Sequence, residues 1–319
     1  MFGRLIIFSI VIAGAIVGAV FWGQHQIDAA GPSTEPTRLV IPTGKGLNGI
    51  SAALTKAGVI DQPLLFEVAA RLRHHSRQLK TGEFDFPAAV SIAEVLLILR
   101  QGRTVVHKLT IPEGLSSSEI AARLTAEKAL SGTLDGIPGD GTLLPETYYF
   151  SHGDQRAAML QRMRDQMTKT AAGLWRRRAA DLPLANLNEA ITLASIVEKE
   201  TAVAAEREII AGVFVNRLRR GMRLQSDPTV VYGLTGGPPL PRALTRQDLK
   251  QPHPYNTYVI KGLPPGPITN PGAAALAAAM RPAKTSYFYF VADGKGGHAF
   301  AETLAEHNRN VATWRRLNR

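Results

Sequence analysis

Leu5–Trp22, LIIFSIVIAGAIVGAVFW, is an uninterrupted run of eighteen uncharged residues, and it restricts the chain more than any other feature. As a helix rising about 1.5 Å per residue it would reach roughly 27 Å, close to the hydrocarbon thickness of a bilayer. A cleaved signal peptide has a shorter apolar run ending in a small-x-small site. This run ends in Phe21-Trp22, a pair suited to a membrane interface, and Gln24-His25-Gln26 follow. The expectation is an uncleaved single-pass anchor. Arg4 precedes the span and no Lys or Arg follows it until Arg38. That bias predicts a cytoplasmic stretch at 1–4, an anchor at 5–22 in the inner (cytoplasmic) membrane, and everything beyond it outside the cytoplasm.

The 319 residues carry 37 Lys and Arg against 26 Asp and Glu, a net charge of +11, with 45% hydrophobic residues. Such a chain can bury more than one core and is not disordered. Cysteine is absent, which excludes disulfides, thiolate nucleophiles and Cys-ligated metal centres. The histidines form no His-x-x-x-His spacing, and there is neither a Gly-x-Ser-x-Gly elbow nor a Gly-Lys-Ser/Thr phosphate loop. No cofactor is expected. Basic runs at Arg176–Arg178 and Arg217–Arg223 raise nucleic acid as a ligand, but an extracytoplasmic location argues against it. Anionic lipid or the carboxylates of cell-wall peptides suit that charge better.

Residues 23–37, rich in Gly, Ala, Pro, Ser and Thr, predict a linker. A weak internal repeat follows. Leu39-Val-Ile-Pro-Thr-Gly-Lys-Gly leads into Leu47–Leu54, and Leu109-Thr-Ile-Pro-Glu-Gly-Leu-Ser leads into Ile120–Leu124. Each copy combines a β-like run, a Pro/Gly turn and helical apolar spacing. A residue among Ser116–Ser118 would cap the second helix, with Glu119 in its first turn. Leu64–Leu72 and Ile92–Leu99 predict helices, and Leu79–Pro87 a strand. Two such units resemble LysM-type modules, which bind N-acetylated glycans; a purely structural α+β subdomain has the same pattern. This part is assigned to 38–140, the turn-rich Gly132–Gly141 marking its end. The remainder, 141–319, is expected to be helix-dominated with a minor sheet: predominantly helical stretches over Ala157–Arg178 and Leu187–Arg219, a small helix from Ala273, an apolar strand at Tyr287–Ala292, and a last helix from Thr303. The fold class is α+β.

On a helical wheel of Leu187–Thr201, LNEAITLASIVEKET, Leu193, Ile196 and Val197 define an apolar face. Glu200 falls inside that face and Glu198 at its flank. Being i and i+2, the two glutamates cannot face one cleft. Burial on an apolar face raises a carboxyl pKa, as a general acid for glycosidic cleavage requires. A buried ion pair with an arginine is the competing interpretation. Beyond lie Asn216, Gln225, Ser226, Asp227, Thr229 and Tyr232, then Tyr255-Asn-Thr-Tyr258 and the stiff run Gly262–Ile268. Neutral donors, acceptors and aromatic faces suit sugar hydroxyls and acetamides, although each residue type is also a common turn former.

Six ordered blocks carry a resemblance: Ala194-Ser-Ile-Val-Glu-Lys-Glu-Thr201, Phe214-Val-Asn-Arg-Leu218, Leu224-Gln-Ser-Asp-Pro-Thr229 with Tyr232, Tyr255-Asn-Thr-Tyr258, Gly262-Leu-Pro-Pro-Gly-Pro-Ile268, and Tyr289-Phe-Val-Ala-Asp-Gly294. Together with Leu144-Pro-Glu-Thr-Tyr148 they resemble the endolytic murein transglycosylase (YceG-like) family over nearly the whole chain after the linker. The resemblance implies an anchored lyase that cuts nascent peptidoglycan strands between N-acetylmuramic acid and N-acetylglucosamine and leaves 1,6-anhydro ends. It implies Glu200 as the catalytic acid, with Asn216, Gln225, Asp227, Tyr232, Asn256 and Tyr258 as candidates for lining the glycan cleft. Penicillin-binding protein synthases are partners suggested by the family alone. A muramidase that uses water with the same glutamate, and a non-catalytic cell-wall scaffold, are the rival readings.

Overall fold

The computed structural model describes residues 2–317. Of the cytoplasmic stretch expected at 1–4, Met1 lies outside the described residues, as do 318–319 of the C-terminal assignment. The architecture is α+β, mostly helical, with three two-stranded antiparallel or paired ribbons rather than one large sheet. It divides into two compact units, Met1–His107 with Tyr149–Gly153, and Lys108–Tyr148 with Asp154–Arg319.

The first unit begins with helix α1 (Phe2–Asp28), then β1 (Thr37–Ile41), α2 (Leu47–Lys56), α3 (Pro63–Leu72), β2 (Gly82–Phe86) and α4 (Ile92–Gln101). β1 and β2 run antiparallel from Thr37↔Phe86 to Ile41↔Gly82. Opposite each other in that register, Arg38 donates from Nε and Nη2 to Asp85 at 2.7 and 3.0 Å. The core beneath is Ile41, Leu54, Phe66, Phe84, Phe86, Leu96 and Leu99, the inward positions of a period-two strand pair and of amphipathic helices. Ser91 and Glu94 close a capping box at the start of α4, and Gly102 ends it in the left-handed region (φ 66°).

The segment 23–37 is not the free linker its composition predicts. α1 runs on to Asp28, and Ile27 joins the core. Gly31 N–H donates to Ala89 O (3.1 Å) and Ala89 N–H to Ser33 O (2.7 Å). A Cβ at Gly31 would lie 2.2 Å from Val90 O, so glycine is what allows this backbone to lie against its neighbour.

The two copies of the repeat also part company. β3 (Val106–Thr110) pairs with β4 (Thr147–Ser151) and not with β1 or β2. β4 had no sequence-based expectation. Helix α5 (Ser117–Ala126) is capped by Ser116, whose side chain accepts from Glu119 N while Glu119 accepts from Ser116 N–H, as the serine run predicts. α5 belongs to the second unit, so the division differs from a boundary at residue 140. Asn270 is the reason. Its Oδ1 accepts from Leu143 N–H (2.9 Å), and its Nδ2 donates to Leu115 O and Ser117 Oγ (both 3.1 Å). A buried amide with every group satisfied ties residues 115–143 to the C-terminal half of the chain.

The second unit continues with α6 (Arg156–Arg176), α7 (Leu187–Glu200), α8 (Arg207–Arg219), α9 (Asp227–Thr235), α10 (Ala273–Met280), the hairpin β5 (Tyr289–Ala292) and β6 (His298–Ala301), and α11 (Leu304–Leu317). The predominantly helical stretch Leu187–Arg219 is thus made of two helices. Thr201 is extended (φ −145°, ψ 134°) and its hydroxyl accepts from Val203 N–H at 3.0 Å, ending α7. Leu193, Ile196, Val197, Ile210, Phe214, Leu276 and Met280 form the core. The short, alanine-rich α10 packs against both α7 and α8, since small side chains permit close approach.

Candidate active site

Glu200 is the last residue of α7. That helix starts at Asn186, whose Oδ1 accepts from Glu189 N–H at 3.0 Å, and buries Leu193, Ala194, Ile196 and Val197. The same face carries Glu200 inward, as the wheel predicts. It opens onto a cleft of about 530 Å³ bounded by Arg217 of α8, Gln225, Asp227 at the start of α9, Tyr258, the β5–β6 hairpin and one face of α11. Leu304, His307, Asn308 and Val311 line it from α11, a spacing that presents them on one face. The flanking Glu198 turns elsewhere and accepts from Gly272 N–H at 2.8 Å. Gly272 is the N-cap of α10, so this carboxylate offsets the positive end of a helix.

Burial pushes the Glu200 carboxyl up from 4.5 to about 7, and the neighbouring charge of Asp227 adds to the rise. The hydrogen bond from Ser226, and the more distant His298 and Arg217, act in the opposite direction. Ser226 Oγ donates to Glu200 Oε1 at 2.5 Å. Ser226 is itself fixed: its N–H donates to Thr257 Oγ1 (2.9 Å) and its carbonyl accepts from Thr229 Oγ1 (2.7 Å). One carboxylate oxygen is thus held by a rigid donor. No donor to Oε2 is found among the described residues, which suits it to carry the mobile proton. At pH 7 an ordinary glutamic acid with pKa 4.5 is about 0.3% protonated, whereas one near 7 is about half protonated.

Around Glu200 stand groups fixed by other partners. Arg217 donates to backbone carbonyls, Nε to Phe288 O (2.7 Å) and Nη1 to Leu224 O (2.6 Å), and burial pulls its pKa down. Its guanidinium lies 5.4 Å from the Tyr289 ring centroid. His298 Nδ1 is 2.7 Å from Glu206 Oε2, and His298 N–H donates to Glu206 Oε1 at 2.8 Å. Burial would raise the Glu206 carboxyl, but these bonds and one from Thr201 hold it below its ordinary value. A Cβ on Gly297 would come within 2.7 Å of Glu206 Oε1, so the Gly294–His298 turn supplies close approach as well as a hairpin bend.

Gln225, Asp227 and Tyr258 from the sequence-based set line the cleft with Glu200. Tyr258 Oη donates to Asp227 Oδ1 at 2.6 Å, and burial followed by that bond raises its phenol pKa. Gln225 holds a left-handed backbone (φ 52°), strained for a residue with a Cβ. Asn216, Tyr232 and Asn256 are not among the residues that line this cleft with Glu200, and each is engaged by another partner. Asn216 Nδ2 donates to Thr285 O (2.8 Å) and Tyr287 O (3.0 Å), strapping down the approach to β5. Tyr232 Oη donates to Asp140 Oδ2 at 2.8 Å. Asn256 is buried, with Nδ2 directed at Asp248 O, Leu249 O and Gln251 O. The sequence offers Ser226 only as one polar residue among several, Arg217 only in a basic run and α11 only as a last helix; nothing in it says that these or His298 meet around Glu200, because those meetings join residues far apart in the chain.

The YceG-like family model matches residues 39–313, and the chain belongs to the YceG-like family. It is 29% identical over 326 residues to the endolytic murein transglycosylase of Bacillus subtilis (strain 168), covering 92% of this chain and 89% of that protein. To the endolytic murein transglycosylase of Streptococcus pneumoniae serotype 2 it is 30% identical over 359 residues, covering 97% of this chain but 64% of the longer relative. The crystal structure of a yceG-like protein from Listeria monocytogenes superposes with a TM-score of 0.55 at 32% identity, covering 87% of this chain and 99% of that one.

Proposed function

We infer that this protein is an endolytic murein transglycosylase, anchored in the cytoplasmic membrane by α1, that cleaves nascent glycan strands with Glu200 as sole proton carrier. The observation that carries the reading is a carboxyl group raised to about 7 and held on one oxygen by Ser226 inside an open cleft. In its protonated form Glu200 donates to the bridging oxygen as the bond from the muramic acid anomeric carbon breaks, releasing the 4-hydroxyl of N-acetylglucosamine. The muramic acid 6-hydroxyl attacks the same carbon and passes its proton to the Glu200 carboxylate. The enzyme regains its starting state without consuming water, and the product carries a 1,6-anhydro ring. One carboxyl serves as acid and then as base, so no nucleophilic partner at the short separation of retaining hydrolases is needed. Asp227, engaged by Tyr258, keeps the Glu200 proton bound by like-charge repulsion. Arg217 stabilises the carboxylate once the proton has left.

The anchor reading rests on α1, whose Ile6–Asp28 portion is apolar and long enough to cross a bilayer. Its 23 residues give about 35 Å, enough for the part up to Trp22 to cross a hydrocarbon core while the end of the helix, with Ile27 packed in the first unit, stands outside it. A single-pass orientation with the N-terminus in the cytoplasm puts the cleft on the extracytoplasmic side, where penicillin-binding protein synthases, the proposed partners, make glycan. The strand-turn-helix units within 38–140 are proposed to hold glycan in a LysM-like manner.

The test is product mass. Incubated with uncrosslinked glycan, the protein is expected to yield fragments lighter by one water than reducing-end products, and Glu200→Gln to yield none. Reducing ends would assign a muramidase, and unchanged turnover in Glu200→Gln would remove the glutamate from the mechanism.

A further inference from the structure

α3 carries two apolar faces, and the core accounts for one. Phe66, Ala69 and Ala70 are buried. Leu64, Val68 and Leu72, at i, i+4 and i+8, form a stripe on the other side and remain 77%, 46% and 73% exposed. A helix in an aqueous domain ordinarily turns such positions polar. Between Leu64, Leu65, Val68 and Trp22 of α1 lies an open cavity of about 460 Å³ whose walls are almost wholly apolar. Trp22 closes the uncharged run and, as an interfacial aromatic, marks the level at which a spanning helix leaves hydrocarbon. The stripe therefore starts at that level, on the same wall as the anchor.

The charge that follows points to the same surface. From Val68 to Gly82 the chain has Arg71, Arg73, Arg77 and Lys80, with His74 and His75, and no carboxylate. Arg71 is partnered by Glu67 at 3.2 Å, while Arg77 and Lys80 are exposed. Apolar side chains followed by cations form the pattern of an interfacial helix, in which the first enter the acyl boundary and the second meet anionic headgroups.

We propose that the outer face of α3 is a second membrane contact, with Leu64, Val68 and Leu72 seated in the extracytoplasmic leaflet beside the anchor and the Arg71–Lys80 stretch on anionic headgroups. This rests on the reading of α1 as a membrane anchor. It makes the first unit a membrane-seated base and not a body swinging on a tether, and it limits how far from the bilayer the chain can work.

The absence of cysteine makes the test direct. Full-length chains carrying single substitutions Val17→Cys, Leu64→Cys, Val68→Cys, Leu72→Cys and Asp85→Cys are labelled with a polarity-sensitive fluorophore. Each is reconstituted in vesicles of phosphatidylethanolamine and phosphatidylglycerol, with or without lipid bearing a shallow acyl-chain nitroxide. Asp85 is an exposed reference on β2. The expected result is quenching at Leu64 and Val68 at least twofold above that at Asp85, with a blue-shifted emission, and quenching at Val17 as the span requires. Quenching at Val17 with Leu64 and Val68 no different from Asp85 overturns the second contact and leaves the anchor intact. Lack of quenching at Val17 overturns both.

Discussion

Replacing Glu200 by Gln should stabilise the protein, and by more at pH 8 than at pH 5. Its carboxyl stands near 7 in the folded chain and at 4.5 when unperturbed. A folded-state pKa above the unfolded value means that the folded protein binds the proton more tightly. Stability is therefore greatest below pH 4.5 and declines as pH rises through 4.5 toward 7. With about 1.36 kcal/mol per pKa unit, the loss reaches about 3 kcal/mol at pH 8 and about 1 kcal/mol at pH 5. Partial exposure of the side chain to the cleft makes these values ceilings. Glutamine keeps the shape and never ionises, so the variant should escape the loss. For a unit of about 200 residues, each kcal/mol moves Tm by about 2–4 °C. The assay is thermal unfolding of both proteins at the two pH values, and the informative quantity is the change in their Tm difference, from which pH-independent packing effects cancel. An advantage of Glu200→Gln that grows by about 4–8 °C between pH 5 and pH 8 fits the linkage. An advantage independent of pH would show that Glu200 titrates normally and refute the reasoning.

Two further outcomes follow from the hydrogen bonds. Ser226→Ala removes a donor to the ionised form, worth about 1.5–3 kcal/mol for a charged acceptor, so the Glu200 pKa should rise by roughly one to two units. The alkaline limb of the kcat/KM profile on uncrosslinked glycan should move upward accordingly; a limb that stays fixed contradicts the assignment of Glu200 as the acid. Asn256→Ala should cost about 2–4 kcal/mol, because the carbonyls of Asp248, Leu249 and Gln251 lose a buried donor. Thermal unfolding will register that loss, and KM well below the transition should stay within about threefold of the parent. A large rise in KM would put the amide back among the glycan contacts.

Glu200 was legible because its position depends on local periodicity alone. Four apolar residues on one face of α7 fix where the next inward position falls, and tertiary structure only had to supply something to cover it. The serine cap of α5, the separate helices α3 and α4, and the short strand β5 were readable for the same reason. Partnerships across long sequence separations were not. Ser226 and Glu200 are 26 positions apart, and Glu206 and His298 are 92 apart. Asn256 illustrates the difficulty well: a polar residue between aromatics suits sugar binding, yet backbone carbonyls claim its amide first. The repeat misled for a different reason. Matching strand-turn-helix patterns say nothing of which strand each will pair with, and Asn270 draws the second copy toward the C-terminal half. Composition likewise predicted a linker over 23–37 where Gly31 and Ile27 provide a docked segment, since small residues serve close packing as readily as flexibility.

Everything in this mechanism depends on Glu200 holding a proton near neutral pH. Infrared difference spectra between the parent and Glu200→Gln, recorded from pH 4 to pH 9, isolate the carboxylic acid C=O stretch of this one group. The account predicts a band that persists through pH 6 and disappears with a midpoint near 7. A midpoint near 4.5, with the carboxylate bands already present at pH 6, would contradict it.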